Sequence, residues 1–360
     1  MRHRFHSLCP YFAMFPESFV RKHLVWSKPG DVVLDPFSGR GTTVFESLLM
    51  DRNAIGCDTN AVAYCVSNAK ADPPELDQVL DRLSEIRHEP ITISDPIQKD
   101  PFFCTCFHRE TLREILHLRL HLKWQTRRDD RFIAAITLGA LHGESHRSAR
   151  YLSNRMPRTV STKPAYSIRW WAKNGYTPPR RNTFEVIRDL IEFRFVSSPA
   201  KIRGKVVKSD ARRAALALPE YRKKVALVIT SPPYLDTTNF EEDQWLRLWF
   251  LGGPPKPITK NESDDRHTRV DSYWTFLEES WRGIKPLLRD NANIVIRIGG
   301  KKLKYNEITE GILGSLQNGL GENVEMVDKM VSEVIKGQRR SFLPGAEGTR
   351  KEYDYHFCLK

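Results

Sequence analysis

Two short segments of this 360-residue chain combine residue types and spacing that suit ligand chemistry. The first runs Leu34-Asp35-Pro36-Phe37-Ser38-Gly39-Arg40-Gly41-Thr42-Thr43. Glycines spaced G-x-G let a ligand approach the backbone, and the N–H groups that open a following helix face an electron-rich group. The third glycine of the dinucleotide fingerprint and the lysine of a phosphate-binding loop are both missing. Asp58 stands further along, where an acidic residue hydrogen-bonds ribose hydroxyls in nucleotide-type sites. An adenosine-bearing ligand without a phosphate chain fits this set. The second segment is Thr230-Ser231-Pro232-Pro233-Tyr234. Two consecutive prolines after an apolar run cannot extend a strand ladder, so they make a stiff platform that presents Ser231 and Tyr234.

Both segments require a scaffold that ends its strands at one edge. Residues 32–35 read as a short β-branched strand, 36–41 as a turn, 42–50 as a helix and 54–58 as a second strand. The alternation resumes at 205–210, followed by an Ala/Leu-rich helical turn. Residues 225–230 form a near-continuous apolar strand of the kind buried on both faces. A helix within 272–288, a strand at 292–298 and a closing antiparallel pair at 322–335 and 353–359 complete the pattern. This predicts an α/β, Rossmann-like fold with a mostly parallel sheet. Between its halves, from about 74 to 200, the alternation stops. Residues 76–86, 111–124 and 130–141 have helical periodicity, with Asp129 or Asp130 placed to cap the third, and the remainder reads as irregular and basic. The organisation expected is therefore a core in two parts, 1–75 and 201–360, around an inserted helical and basic region, 76–200.

The composition, 40% hydrophobic and 10% aromatic, is that of a folded protein. No run approaches the roughly 18 apolar residues that span a bilayer. A signal peptide is not expected, because Pro10 and Pro16 break the apolar stretch that follows the N-terminal basic residues. The six cysteines are scattered, without a C-x-x-C pair, which points to a reducing cytoplasm rather than a disulfide framework. Cys104, Cys106 and His108 lack a second ligand pair for zinc, and in His142-Gly143-Glu144-Ser145-His146 a glycine occupies the position of the metalloprotease glutamate, so no metal is expected. The net charge of +13 makes a polyanion, nucleic acid first, the partner to test. Residues 144–213 hold 17 Lys/Arg against 5 Asp/Glu, which is nearly the whole excess. There Arg147, Arg150, Arg155, Arg158, Lys163 and Arg169 interleave with Tyr151, Tyr166, Trp170 and Trp171, a mixture suited to phosphates and unstacked bases.

Together the two motifs resemble those of the amino-methyltransferases that act on DNA bases and use S-adenosylmethionine. In that family a D-P-F-x-G-x-G-T-T loop binds the cofactor and an [S/D/N]-P-P-Y segment holds a flipped base. The resemblance covers residues 11–65 and 205–300. It implies cofactor contacts from Phe15, Pro16, Asp35, Pro36, Phe37, Gly39, Gly41, Thr42 and Thr43, a ribose contact from Asp58 and an adenine contact from Asp210. It implies catalysis at Ser231, Pro232, Pro233 and Tyr234, on double-stranded DNA with its target base flipped out, and it admits a companion restriction endonuclease. The order differs from the usual one, since the cofactor loop precedes the P-P-Y segment. Serine before the prolines is commonest in enzymes that methylate the exocyclic amine of cytosine, which makes cytosine the expected base and adenine the alternative. An RNA guanine-amine methyltransferase and an inactive DNA-binding protein are the other readings.

Overall fold

The computed structural model describes residues 2–11, 15–90, 95–235, 239–258, 269–299, 303–333 and 351–360. Among them seven strands form one sheet: β1 Val32–Asp35, β2 Asn53–Asp58, β3 Lys205–Lys208, β4 Val225–Thr230, β5 Leu288–Gly299, β6 Val324–Glu333 and β7 Lys351–Leu359. Their order is β3-β2-β1-β4-β5-β7-β6. The first five are parallel, and β7 lies antiparallel between β5 and β6. This is the mostly parallel α/β sheet expected, closed by the expected antiparallel pair. The last two residues of the range 322–335 lie outside the described residues.

The chain divides into two compact units. Met14–Thr59, Lys201–Thr238 and Asp264–Lys360 make the sheet unit. Its strands are apolar on both sides because both faces are covered. Val32 and Leu34 join Ile55, Val228, Ile294 and Trp281 in one cluster, while the intervening Val33 joins Phe19, Leu227, Ile229 and Val295 in the other. Every residue of β4 is buried, as a central strand between two layers requires. On β7, Tyr355 and Phe357 enter the first cluster, and the intervening positions are polar. Helix Tyr305–Leu320 packs against helix Val270–Ile284, where Trp281 Nε1 donates to Ser315 Oγ at 3.1 Å.

Met1–Ala13, Asn60–Ala200 and Asn239–Ser263 make a helical unit. Three of its helices, Leu76–His88, Arg109–His121 and Arg128–Ala140, match the predicted periodicity. Neither Asp129 nor Asp130 caps the third, which begins earlier with Arg127 as its N-cap. Asp130 is fully buried and accepts from Arg82 Nε at 2.8 Å and from the Lys123 N–H at 2.7 Å. Its carboxylate is consumed in joining two helices. The stretch read as irregular also holds helices Pro164–Lys173 and Thr183–Phe195, the first with proline in its opening turn and the second capped by Asn182. Buried Arg247 donates to the carbonyls of Pro10, Leu138 and Arg158 and to Gln244 Oε1, at 2.6 to 2.9 Å. One guanidinium thus fastens four segments without a carboxylate. No helix among the described residues is long and apolar enough to cross a membrane.

Candidate active site

The loop after β1 is held by its own backbone and by the next strand. Gly39 and Gly41 both adopt positive φ, 48° and 73°, which side chains resist, and Gly41 is the N-cap of helix Thr42–Leu49. The Gly39 N–H donates to Asp58 Oδ2 at 2.8 Å, the Ser38 N–H to the Cys57 carbonyl at 3.0 Å, and Ser38 Oγ to the Asp35 carbonyl at 2.9 Å. Gly56 on β2 makes this fit, since a Cβ there would lie 2.2 Å from Ser38 Oγ and 3.1 Å from the Asp35 carbonyl oxygen. The loop therefore rests directly on the neighbouring strand, with Asp58 at its rim.

Asp35 ties the loop to the second motif. It is fully buried, and its Oδ1 accepts from Thr230 Oγ1 at 2.6 Å and from the Phe37 N–H at 3.1 Å. Burial raises its pKa from 3.8 to about 6, against the pull of those hydrogen bonds, and Asp58 pushes the same way. Among the described residues no basic side chain pairs with it. Thr43 Oγ1 donates to the Ile229 carbonyl at 3.0 Å, a second bond from the helix start to β4. The carboxyl ends of β1, β2 and β4 thereby meet at one edge of the sheet, where open α/β sheets place ligands.

Beyond Thr230 the Ser231 hydroxyl donates to the Tyr234 hydroxyl at 3.3 Å, and Tyr234 donates to Glu352 Oε1 on β7 at 3.2 Å. Glu352 lies 3.5 Å from Arg297 on β5, whose guanidinium also grips Asp354 through two bonds of 2.7 Å and lies 4.1 Å from the Phe19 ring centre. Burial raises the pKa of Glu352, while Arg297 and Tyr234 oppose it. Burial and the nearby Glu352 carboxylate hold Tyr234 neutral. Glu352, Arg297 and Asp354 were not foreseen. The one signal for them was the polar alternation Glu352, Asp354, His356 within a strand whose other positions include Tyr355 and Phe357.

Other expected cofactor positions fall in the same unit with different surroundings. Phe15 is buried beside Phe19, and Pro16 is the N-cap of helix Glu17–His23. Asp210, just past β3, caps its own turn and accepts twice from the Arg212 guanidinium, at 2.8 and 3.0 Å. Phe37 packs near Phe276 and Trp281.

The basic candidates all lie in the helical unit. Arg147, Arg150, Arg158, Lys163, Arg169 and Trp170 are exposed, and Arg155 is half-buried with its guanidinium 3.8 Å from the Tyr176 ring centre. Arg147 pairs with Glu144, and Lys163 with Glu242. Trp171 is not a surface for unstacked bases. It is 2% exposed, packs on Phe102 and donates to the Arg155 carbonyl at 2.7 Å. His142 is buried between the Pro157 carbonyl and Ser161 Oγ, at 2.8 and 3.1 Å. His108 caps its own helix, and Cys106 is buried.

Residues 3–68, the segment holding the glycine loop and Asp58, match the family model for DNA methylases of the N6/N4 type. This segment is similar to that of N4/N6 DNA amino-methyltransferases. The chain is 43% identical over 54 residues to an orphan methyltransferase, M.BamHII, from Bacillus amyloliquefaciens, a stretch covering 15% of this chain and 20% of that protein. It is 23% identical over 344 residues to the type II methyltransferase M.BsoBI from Geobacillus stearothermophilus, covering 85% of this chain and 64% of the relative. The chain thus spans less than two thirds of the length of either relative. Among solved structures it is similar to the rRNA methyltransferase AviRa of Streptomyces viridochromogenes, with a TM-score of 0.38 and 11% identity over 100% of this chain and 94% of that one. The family match supports S-adenosylmethionine as the cofactor. The residues fit it: Asp58 offers a carboxylate at the rim of a glycine loop, and the buried, cation-free Asp35 suits a ligand that carries positive charge.

Proposed function

We propose that this protein methylates the exocyclic amine of cytosine in double-stranded DNA, with S-adenosylmethionine as donor. The observation that carries the reading is the 2.6 Å hydrogen bond from Thr230 to Asp35, which couples the S-P-P-Y strand end to the cofactor loop. When bound, the cofactor supplies an electrophilic methyl group on a sulfonium. The loop Asp35–Thr43, with Phe15 and Pro16 before it, is the candidate cofactor cradle. Asp58 would accept from the ribose hydroxyls and Asp210 would meet the adenine edge.

An exocyclic base amine is a poor nucleophile because its lone pair is delocalised into the ring. The site must localise that pair and hold the nitrogen in line with the methyl group. Ser231 Oγ and the Pro232 carbonyl would accept the amine's protons, with Pro233 keeping the turn rigid. Tyr234 offers its ring to the base while its hydroxyl stays tied to Glu352. Such chemistry requires the base outside the duplex. The exposed Arg147, Arg150, Arg158, Lys163, Arg169 and Trp170, together with half-buried Arg155, are the candidate DNA-binding surface. A restriction endonuclease of matching specificity would be its companion.

Serine before the prolines favours cytosine over adenine, the second reading. Tritiated methyl transfer to DNA, followed by digestion and chromatography of the nucleosides, tests both. Label on the cytosine amine supports the proposal, and label on the adenine amine replaces it with the second reading. Label on a ring carbon, or none, overturns the mechanism.

A further inference from the structure

Within the helical unit three guanidinium groups converge on one aromatic ring. The guanidinium carbons of Arg4, Arg150 and Arg194 lie 4.3, 4.5 and 5.1 Å from the centre of the Phe193 ring. They come from distant parts of the chain: the N-terminal segment, the basic stretch and the end of helix Thr183–Phe195. Among the described residues no carboxylate pairs with any of the three. Arg4 Nη1 donates to the Phe193 carbonyl at 3.0 Å and Arg194 Nη2 to the Ser7 carbonyl at 2.7 Å, so neutral oxygens orient both groups without cancelling their charge. Arg194 is only 8% exposed, and its buried Nε has no hydrogen-bond partner.

This arrangement is unfavourable by itself. Like charges repel most where burial lowers the local dielectric, and the quadrupole of one ring offsets only part of that repulsion. The strain is visible in Arg194, whose pKa falls from 12.5 to about 10 through burial and the proximity of Arg150, Arg4 and Arg2. Three cations held together with no acid among the described residues call for an anionic partner. Guanidinium groups recognise phosphate oxygens through paired N–H bonds, so a phosphate is the matching anion.

We propose that Arg4, Arg150 and Arg194, gathered around Phe193, form a binding site for a backbone phosphate of DNA. The proposal rests on the DNA-methylating reading above and adds to it a locus outside the S-P-P-Y motif and the cofactor loop. It also extends the DNA surface to the N-terminal segment, which the basic stretch at 144–213 does not include.

The test measures duplex binding by the apoprotein through fluorescence anisotropy across a salt series. The proteins compared are wild type, Arg4→Ala/Arg150→Ala and Lys173→Ala, the last removing an exposed charge of the same basic stretch that is not among the three guanidinium groups on the ring. Arg4 and Arg150 are partly or fully exposed, so the double variant should fold, which circular dichroism checks. Each phosphate contact contributes about 0.9 to the slope of log affinity against log salt. The double variant should lose about 0.9 of slope, the share of one phosphate contact, and bind several-fold more weakly, with Lys173→Ala nearly unchanged. Phosphorus NMR with inorganic phosphate separates the possible sources of the anion. A free-phosphate site that leaves the DNA slope unaltered overturns the assignment to backbone, as does a wild-type slope in the double variant. An equal loss in Lys173→Ala overturns it in favour of a diffuse field. None of these measurements uses cofactor or turnover, so failure of the methyl-transfer reading would show separately, in the nucleoside assay.

Discussion

Replacing Asp35 by Asn should make the protein more stable and worse at holding its cofactor. The side chain is completely buried, and its folded pKa of about 6 stands roughly two units above the 3.8 of an unfolded aspartate. For an acid raised in this way, the folded state binds the proton more tightly than the unfolded state. Its contribution to stability is therefore present below about pH 3.8 and is lost as pH rises through about 6. Two units at 1.36 kcal/mol each give a penalty of about 3 kcal/mol above that window. Asparagine keeps the Oδ1 acceptor for Thr230 and for the Phe37 N–H, so the loop geometry should survive while the charge is removed. Urea denaturation followed by tryptophan fluorescence should show Asp35→Asn about 3 kcal/mol more stable at pH 8, with the gain shrinking toward zero near pH 4. Calorimetry at pH 8 should show weaker binding of S-adenosylmethionine, because the cationic ligand loses its buried counter-charge. A variant less stable than wild type at pH 8, or a difference independent of pH, would refute the argument that this carboxylate is kept charged at the expense of stability.

Three further outcomes follow from the same unit. Asp58→Ala should weaken S-adenosylmethionine binding by about 1.5 to 3 kcal/mol, the range for hydrogen bonds to a charged group, and calorimetry on the folded variant measures it. Gly56→Ala forces a Cβ onto Ser38 Oγ and toward the Asp35 carbonyl; thermal denaturation should reveal a loss of about 1 to 3 kcal/mol, as for other overpacked sites, with weaker cofactor binding. Arg297→Met leaves Asp354, 4% exposed, without its cation; a destabilisation of about 3 to 5 kcal/mol by chemical denaturation is expected.

The parts of this molecule that could be read from the chain are those whose physics is local. Gly39 and Gly41 announce a loop that needs positive φ, and the unbroken apolar run 225–230 announces a strand covered on both sides. Both lie where expected. What escaped depends on partners far apart in sequence. Arg297 meets Asp354 and Glu352 only because β5 pairs with β7, and no spacing rule predicts that register. Asp130 resembled a cap until Arg82 and Lys123 claimed it. Trp171 failed for a reason of helical phase: in helix Pro164–Lys173 it shares the buried face with Ser167, four residues earlier, while Arg169 and Trp170 face solvent. Counting aromatic and basic residues ignores which way each one points. Helices 61–71 and 305–320 were also missed, although Asn60 accepts from two N–H groups at the start of the first.

The insertion of β7 between β5 and β6 sets an order of events during synthesis. Strand β6 is made before β7 yet among the described strands pairs with β7 alone, so it joins this sheet through residues 351–359. At roughly 5 to 20 residues per second, the sixty residues from the end of β5 to the end of β7 take about 3 to 12 s to translate. Throughout that interval the hydrogen-bonding edge of β5, with Val295 and Ile296 on it, waits unpaired, and such an edge is a template for association with other chains. The same wait withholds Glu352 from Tyr234. A nascent chain that already carries the glycine loop and the proline platform therefore still lacks the last anchor of its tyrosine, which ties completion of the site to the synthesis of β7.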